Sequence, residues 1–298
     1  MRYRPLGVTG TVVSAVSLVL ADSQVRTRAQ DWEQLVYAAL ESGINSFEVI
    51  GRSPLIADGL ARAVHAIERN LVFLAWRMGA SHPLSGQPIR DFSPEGLQRG
   101  VEEILARTGF TYLDAIILDD PLSEELSPYA LGRLTDFRAT GRVRRLGVAG
   151  EGDAMDAYIT TGAFDILCTP YSLISGWKER LRLKAATGQD MAIIGYDFHP
   201  ERFQRGGGAA SAPKAGAASP LAGAGTYAFL DRTPGWSSEQ ICMAYALTEP
   251  SLASIQIATD RVERLAGLAA VVEKDLPPGV AAQIEMARFS PAPGQRRA

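Results

Sequence analysis

Short runs of Val, Ile and Leu alternate with amphipathic stretches along most of this chain, and the alternation leaves few folds open. A strand that is buried on both faces gives a continuous apolar run, whereas the helix that covers it has apolar residues on one face only. Repeated units of this kind form a parallel sheet. The apolar runs predict eight strands, over residues 12–21, 45–50, 71–77, 113–119, 143–149, 166–171, 191–198 and 254–258.

The stretches that follow these strands predict eight helices, over residues 30–42, 57–69, 94–108, 128–140, 153–161, 178–186, 237–248 and 261–274. Ordinary boundary signals support them, such as Ser93-Pro94 at one start and Gly109 after one end. Eight strands, each followed by a helix, are typical of a closed (β/α)8 TIM barrel. An open, doubly wound sheet is the alternative, but no G-x-G-x-x-G follows any predicted strand. We therefore predict an α/β protein with a single barrel over residues 1–290.

Two stretches do not follow this alternation. Residues 201–226 are a low-complexity mixture of Gly, Ala, Ser and Pro, which predicts a long, flexible loop after the seventh strand. Residues 291–298 predict a disordered tail.

Composition and charge exclude several classes of protein. The formal net charge of −3 provides no basic field for nucleic acid or for an anionic membrane. Cys168 and Cys242 lie too far apart for a disulfide framework or a zinc site, which favours a reducing compartment. No run reaches the roughly 18 apolar residues of a membrane helix, and no A-x-A cleavage site follows the apolar run at 12–21. We predict a cytoplasmic protein that binds neither nucleic acid nor membrane.

A series of short motifs occurs in the same order as in the aldo-keto reductases. They are R-P-L-G-V-T-G at 4–10, G-I-N-S-F at 43–47, Y-L-D at 112–114, G-R-V-R-R-L-G-V at 141–148, P-Y-S-L at 170–173, I-I-G-Y at 193–196 and R-L at 264–265. The chain resembles that family over residues 1–274. The resemblance implies a TIM barrel with an N-terminal hairpin, and hydride transfer from NAD(P)H to a carbonyl.

The four positions that match the family's catalytic residues are all altered. In the family a Tyr is the general acid, an Asp and a Lys tune its pKa, and a His orients the substrate oxygen. The matching positions here hold Ser53 for Tyr, Glu48 for Asp, Arg77 for Lys and Asp119 for His. A serine hydroxyl is a much weaker acid than a phenol, and Asp119 would place negative charge where an oxyanion develops. We expect no catalysis by the family's mechanism.

A shift of register does not restore the missing groups. No lysine precedes Lys178, and the one tyrosine between Tyr3 and Tyr112 is Tyr37, which falls within the helix predicted over 30–42. Glu48 and Arg77 are expected to form an ion pair. Asp119 and Asp120 are either a paired-carboxylate acid/base or metal site, or residues that cap a helix or contact an arginine.

The resemblance also implies that the cofactor lies across the C-terminal ends of the strands, with the nicotinamide stacked on Tyr196. The family's carboxamide-binding Ser-Asn pair is Ala149-Gly150 here, and its sixth-strand Gln is Cys168. Loss of the family's Lys near the adenosine, together with Asp260, favours NAD(H) over NADP(H). The candidate cofactor residues are Cys168, Tyr196, Asp197, Phe198, Thr259 and Arg264. Tyr196 could instead be a packed aromatic at the barrel rim, and Arg264 a solvated helix position.

Only four of the 30 basic residues are lysines, and three arginines cluster at 142, 144 and 145. Base composition of the genome explains such a bias, and a protein-binding face is the alternative.

The preferred hypothesis is a catalytically inactive, aldo-keto-reductase-like regulator that binds NAD(H) and a protein partner, as oxidoreductase-like regulators of cell division do. The alternatives are an active NAD(P)H-dependent oxidoreductase with a site rebuilt from Glu48, Arg77, Asp119 and Asp120, and a barrel without a ligand. The oligomeric state stays open.

Overall fold

The structure is a computed structural model that describes residues 1–81, 89–200, 227 and 229–289. The loop predicted over 201–226 and the tail predicted over 291–298 lie outside the described residues.

An antiparallel hairpin of β1 (Tyr3–Pro5) and β2 (Val12–Ser14) opens the chain, as the sequence resemblance implies. Leu6 and Val13 pack into the same apolar cluster as the inward-facing side chains of the barrel. A Cβ on Gly7 would approach the backbone nitrogen of Ala192, the first residue of a barrel strand, to 3.0 Å. The hairpin therefore covers the N-terminal end of the barrel.

Eight parallel strands close into a barrel, which confirms the predicted α/β fold. The barrel strands are β3 (Val16–Ala21), β4 (Ser46–Ile50), β5 (Phe73–Met78), β8 (Leu113–Asp119), β9 (Val143–Ala149), β10 (Ile166–Pro170), β11 (Ala192–Tyr196) and β12 (Leu252–Ala258). Between β5 and β8 in the sequence, β6 (Ala80–Ser81) and β7 (Ile89–Arg90) form a separate short hairpin. Neighbours in the barrel are also neighbours in sequence order among its eight strands, and β12 pairs with β3 to close it.

Helices cover the outside of the barrel. They are α1 (Ala29–Glu41), α2 (Pro54–His65), α3 (Pro94–Thr108), α4 (Pro128–Ala139), α5 (Asp153–Thr160), α6 (Trp177–Gly188), α7 (Phe229–Arg232), α8 (Ser238–Ala246), α9 (Val262–Ala269) and α10 (Pro278–Phe289). Outward-facing strand residues such as Val16, Leu18 and Leu20 pack with these helices in one apolar cluster. None of the described helices is long and apolar enough to span a membrane.

Several predicted boundaries were wrong for local reasons. The strand predicted over 12–21 is two strands, because the chain passes from the hairpin into the barrel at Ala15. The strand predicted over 191–198 ends at Tyr196, because Asp197 takes a φ of +51°. The helix predicted over 57–69 begins at Pro54, and the one predicted over 261–274 becomes a 3-10 helix at Ala270–Glu273. Helices α7 and α10 were not predicted.

Candidate functional site at the barrel mouth

The C-terminal ends of four barrel strands bring their inward-facing polar side chains into contact. Arg77 on β5 donates from Nε to Oε1 of Glu48 on β4 over 2.5 Å, and from Nη1 to Oδ1 of Asp119 on β8 over 3.3 Å. Gln256 on β12 donates from Nε2 to the other carboxylate oxygen of Glu48 over 2.5 Å. Active sites of TIM barrels lie at this end. We call these four residues the mouth network.

The mouth network is nearly closed to solvent at its centre. The Glu48 side chain is 3% exposed and the Arg77 side chain 10%, whereas Asp119 at the rim is 18% exposed. Burial alone would lower the pKa of Arg77, but the carboxylates of Glu48 and Asp119 raise that pKa above its ordinary value. One guanidinium thus faces two carboxylates, and the network carries a net negative charge.

The structure confirms the expected contact between Glu48 and Arg77, and it adds Asp119 to the same arginine. Ser53 makes no hydrogen bond with these three residues. It is the N-cap residue of α2, its hydroxyl makes no capping hydrogen bond, and together with Arg77 it lines a cavity of about 560 Å³ between α2, β5 and α3. Three of the four altered positions therefore form one cluster, and the position that matches the family's acid is outside it.

Asp119 and Asp120 do not act as a pair of carboxylates in the structure. Asp119 contacts Arg77, while Asp120 takes a φ of +48° and its carbonyl oxygen accepts a hydrogen bond from Arg90. Across the described ranges, no group of three or more His, Cys, Asp or Glu residues is arranged to hold a metal ion. Of the two interpretations, contact with an arginine is therefore the one observed.

Tyr196 is a half-buried aromatic residue at the end of β11, beside the mouth network. The Arg77 guanidinium carbon lies 5.7 Å from the centre of its ring. Burial raises the pKa of the Tyr196 hydroxyl more than the nearby arginine lowers it. The phenol therefore keeps its proton at neutral pH, and its ring borders the mouth.

Three further candidate cofactor residues, Asp197, Phe198 and Cys168, differ in how far they are exposed to solvent. Asp197 is exposed, whereas Phe198 is buried in the apolar core. Cys168 is fully buried inside the barrel, with Sγ 4.0 Å from Oε2 of Glu48, and burial followed by that carboxylate raises the pKa of the thiol well above its usual value. Of these three candidates, only Asp197 has an exposed side chain.

Arg264 is committed to partners within the chain. Its Nη2 lies 2.5 Å from Oε1 of Glu239 on α8, and its Nη1 donates to the carbonyl oxygen of Ala258 over 2.6 Å. Thr259 accepts a hydrogen bond from the backbone N–H of Arg261 at the start of α9. The Arg264 side chain is 31% exposed, so a partly solvated helix position is compatible with the structure, and a ligand phosphate at Arg264 would have to compete with Glu239.

The three arginines clustered near residue 143 also contact their own chain. Arg142 lies over the Phe137 ring, Arg144 contacts Asp114 at 3.3 Å, and Arg145 donates to the hydroxyl of Thr11 over 2.6 Å. Each of the three arginines therefore has a partner within the chain, while the side chains of Arg142 and Arg144 are still 40% and 48% exposed.

Two residues of the site were missed by sequence reasoning. Gln256 is a lone polar side chain in the apolar run of β12, and that isolation was a usable signal of an inward-facing polar contact. Glu239 had no such signal, because its contact with Arg264 depends on how α8 and α9 pack.

Comparison with known proteins shows that the fold is shared with aldo-keto reductases. The aldo-keto reductase AKR11C1 from Bacillus halodurans, in its holo form, has a TM-score of 0.78 at 14% sequence identity, and 100% of each chain is covered. The glycerol dehydrogenase AKR11B4 from Gluconobacter oxydans has a TM-score of 0.72 at 17% identity, with 99% of each chain covered. The sequence matches no protein-family profile and no curated protein.

Proposed function

We propose that this chain is a catalytically inactive, aldo-keto-reductase-like barrel that binds NAD(H) and acts by contacting another protein. The observation that carries the proposal is the mouth network. Where a carbonyl reductase needs a proton donor and groups that stabilise an oxyanion, Arg77 is held between Glu48 and Asp119.

The residues of the mouth are poorly suited to complete a reduction. Bound NADH supplies a hydride, but the carbonyl oxygen must also receive a proton. The two ion-paired carboxylates only accept hydrogen bonds, Arg77 does not release its proton, and the pKa of Tyr196 is raised. Loss of a general acid typically lowers a rate by about 100- to 10,000-fold.

The nicotinamide end of the cofactor fits the residues that are present. The half-buried Tyr196 ring is the surface on which the nicotinamide would stack, and Asp197 lies exposed beside it. The adenosine end favours NAD(H), because Arg264 is held by Glu239 and Asp260 adds negative charge near the site that a 2′-phosphate would occupy.

The proposal is tested by titration of the purified chain with NADH and NADPH in a calorimeter, followed by a turnover assay with a panel of carbonyl compounds. We expect NADH to bind more tightly than NADPH, and neither to be oxidised. Tyr196→Ala should weaken NADH binding about tenfold, because it removes the stacking surface. Tyr3→Ala is the matched control, since Tyr3 is an exposed tyrosine on the hairpin at the opposite end of the barrel.

Each outcome bears on a different part of the proposal. Absence of binding would contradict the cofactor site. If the Tyr196→Ala variant bound NADH as tightly as the wild type, Tyr196 would not be part of the cofactor site. Turnover that survives Ser53→Ala but is lost in Glu48→Gln or Asp119→Asn would identify a rebuilt enzyme.

One observation favours that competing function, an active NAD(P)H-dependent oxidoreductase. Among the described residues, Nη2 of Arg77 is buried without a hydrogen-bond partner, so the chain itself does not use these N–H groups, which are of the kind that polarises a carbonyl oxygen. The same turnover assay separates the two functions, and Arg77→Lys, which keeps the charge but removes Nη2, should lower any activity that depends on this donor.

The narrowest form of the proposal adds a role in cell division, like that of the oxidoreductase-like regulator KidO. A cytoplasmic location and a regulatory protein partner belong to the same proposal. The mouth network supports the wider form only, a barrel that binds without catalysing.

A further inference from the structure

The C-terminal face of the barrel carries a surface that combines negative charge with exposed aromatic side chains. It consists of residues 120–129, which lead into α4, residues 150–157, which lead into α5, and Trp177 with Lys178 at the start of α6. We call it the acidic rim. Because β8, β9 and β10 are neighbours in the barrel, the helices that follow them lie side by side.

The acidic rim has more carboxylates than cations. Residues 120–129 and 150–157 contain no lysine or arginine, and their six acidic residues are Asp120, Glu124, Glu125, Glu151, Asp153 and Asp156. Arg90, Lys178 and Arg182 from neighbouring segments form ion pairs with three of them. Within the described part of the chain, Asp120, Glu124 and Glu151 have no ion-pair partner, so the surface carries a net negative charge.

Large apolar side chains stand out from this charged surface. Tyr129 is 83% exposed on α4, Trp177 is 78% exposed on α6, and Leu122 in the preceding loop is 47% exposed. Tyr and Trp are the side chains that most often contribute the binding energy of protein interfaces. Their rings also accept lysine and arginine through cation–π contacts.

The backbone beneath the acidic rim is held in place by side chains. The Tyr158 hydroxyl donates to the carbonyl oxygen of Leu122 over 3.0 Å. Buried Arg182 donates to the carbonyl oxygens of Glu151 and Gly152 over 2.7 and 3.1 Å. A partner would therefore bind a surface that is already ordered, which lowers the entropic cost of association.

We infer that the acidic rim binds a basic, amphipathic helical segment of a partner protein. Three neighbouring helices at the usual spacing span about 20 Å, which matches a helix of roughly 13 residues. Apolar side chains of that helix would cover Tyr129, Leu122 and Trp177, and its lysines or arginines would meet the unpaired carboxylates. This inference rests on the proposed function, since it names the class of partner through which the barrel acts.

Charge argues against the other occupants. A second copy of the chain that docked rim to rim would bring the same net negative surface to the contact, and an acidic protein would be repelled for the same reason. The partner is therefore recognised by positive charge together with apolar side chains, and its binding should weaken as salt is added.

The probe for the test is a fluorescent, helical peptide of about 16 residues made of leucine and lysine, and its control is the same peptide with glutamate for lysine. Anisotropy is measured with the full chain at low and high salt. We expect the lysine peptide to bind and the glutamate peptide not to bind. The affinity for the lysine peptide should be lower at high salt. Trp177→Ala, Tyr129→Ala and Glu151→Lys should each lower the affinity about tenfold.

Matched controls lie at the opposite end of the barrel. Leu71→Ala removes an exposed apolar side chain, and Glu68→Lys makes the same charge reversal before β5. Neither should change the affinity. Circular dichroism confirms the fold of every variant.

Three results would overturn the inference: equal binding of both peptides, equal effects of rim and control variants, or self-association of the chain that Trp177→Ala abolishes in light scattering. Titration with NADH is done on the same samples. If NADH binds but the rim variants do not change the affinity for the lysine peptide, only this inference fails. If the rim binds the lysine peptide and NADH does not bind, the cofactor part of the proposed function fails instead.

Discussion

Arg77 Nε lies 2.5 Å from Oε1 of Glu48, and the two residues come from neighbouring strands that meet only in the folded barrel. The Glu48 carboxylate also receives the Gln256 amide from the strand on the far side of β3. A carboxylate that is 3% exposed is stable as an anion only while these donors surround it. The contact therefore links the stability of the barrel to the chemistry of its mouth.

Replacing Arg77 should show how strongly the buried Glu48 carboxylate depends on its ion-pair partner. Arg77→Met leaves Glu48 in the interior without its ion-pair partner, so we expect the free energy of unfolding to fall by about 3–5 kcal/mol. The double variant Arg77→Met with Glu48→Leu should be less destabilised than the single one, because it removes both charges. Urea unfolding of the wild type and both variants measures this. Equal stability of the single and double variants would contradict the role of the ion pair.

Acid should weaken a second carboxylate contact, at the start of α3. The Ser93 hydroxyl donates to Oδ1 of Asp91 over 2.5 Å, and this bond lowers the pKa of Asp91 despite the opposing effect of partial burial. A folded-state pKa below the unfolded value of about 3.9 means that the contact stabilises the fold above that pH and is lost as pH falls through the folded pKa.

Asp91→Asn should therefore lower stability at neutral pH, and its difference from the wild type should shrink below about pH 4. Urea unfolding across a pH series measures the difference. A difference that stays constant down to the most acidic condition would show that the charge of Asp91 is irrelevant.

The ion pair between Arg264 and Glu239 predicts how cofactor preference can be changed. Glu239→Gln removes the carboxylate that holds Nε and Nη2 of Arg264, and so leaves the guanidinium free to meet a 2′-phosphate. If NAD(H) binds as proposed, NADPH affinity should rise about tenfold relative to NADH affinity. Calorimetric titration with both cofactors measures the ratio. Glu263→Gln, an exposed carboxylate on α9, is the control that should leave it unchanged.

Most of the barrel could be predicted because its strands are buried on both faces. Strands 113–119 and 143–149 and helix 94–108 match the structure at both ends, since apolar runs and a Ser-Pro start mark them clearly. Predictions failed where one residue decides the outcome. Asp197 ends β11 by taking a positive φ, which an Asp tolerates but does not require.

The candidate site could be predicted only in part. Glu48 and Arg77 interrupt apolar strands at inward-facing positions, so their contact was foreseeable. The Gln256 contact joins residues 208 positions apart, and it depends on the closure of the barrel. Cavities and exposed surfaces such as the acidic rim depend on the packing of whole helices, which periodicity does not describe.

Two helical glycines that look alike in the sequence should respond in opposite ways to alanine. A Cβ on Gly59 of α2 would lie 2.4 Å from the carbonyl oxygen of Ala29 and 2.6 Å from Cβ of Trp32, both on α1. These are atoms of the neighbouring backbone and its first side-chain carbon, which cannot rotate away. Gly59→Ala should therefore push α1 and α2 apart and lower the free energy of unfolding by about 1–3 kcal/mol.

Gly267 of α9 is the matched control, because among the described residues no atom outside its own helix and chain neighbours lies within 4 Å of the position of an added Cβ. Gly267→Ala should raise the free energy of unfolding by about 0.5–1 kcal/mol, since alanine favours the helix and meets no clash. Thermal and urea unfolding of both variants give the two signs. If Gly59→Ala also stabilised the chain, the close approach of α1 and α2 would not exist in solution; if Gly267→Ala destabilised it, another surface would have to cover α9.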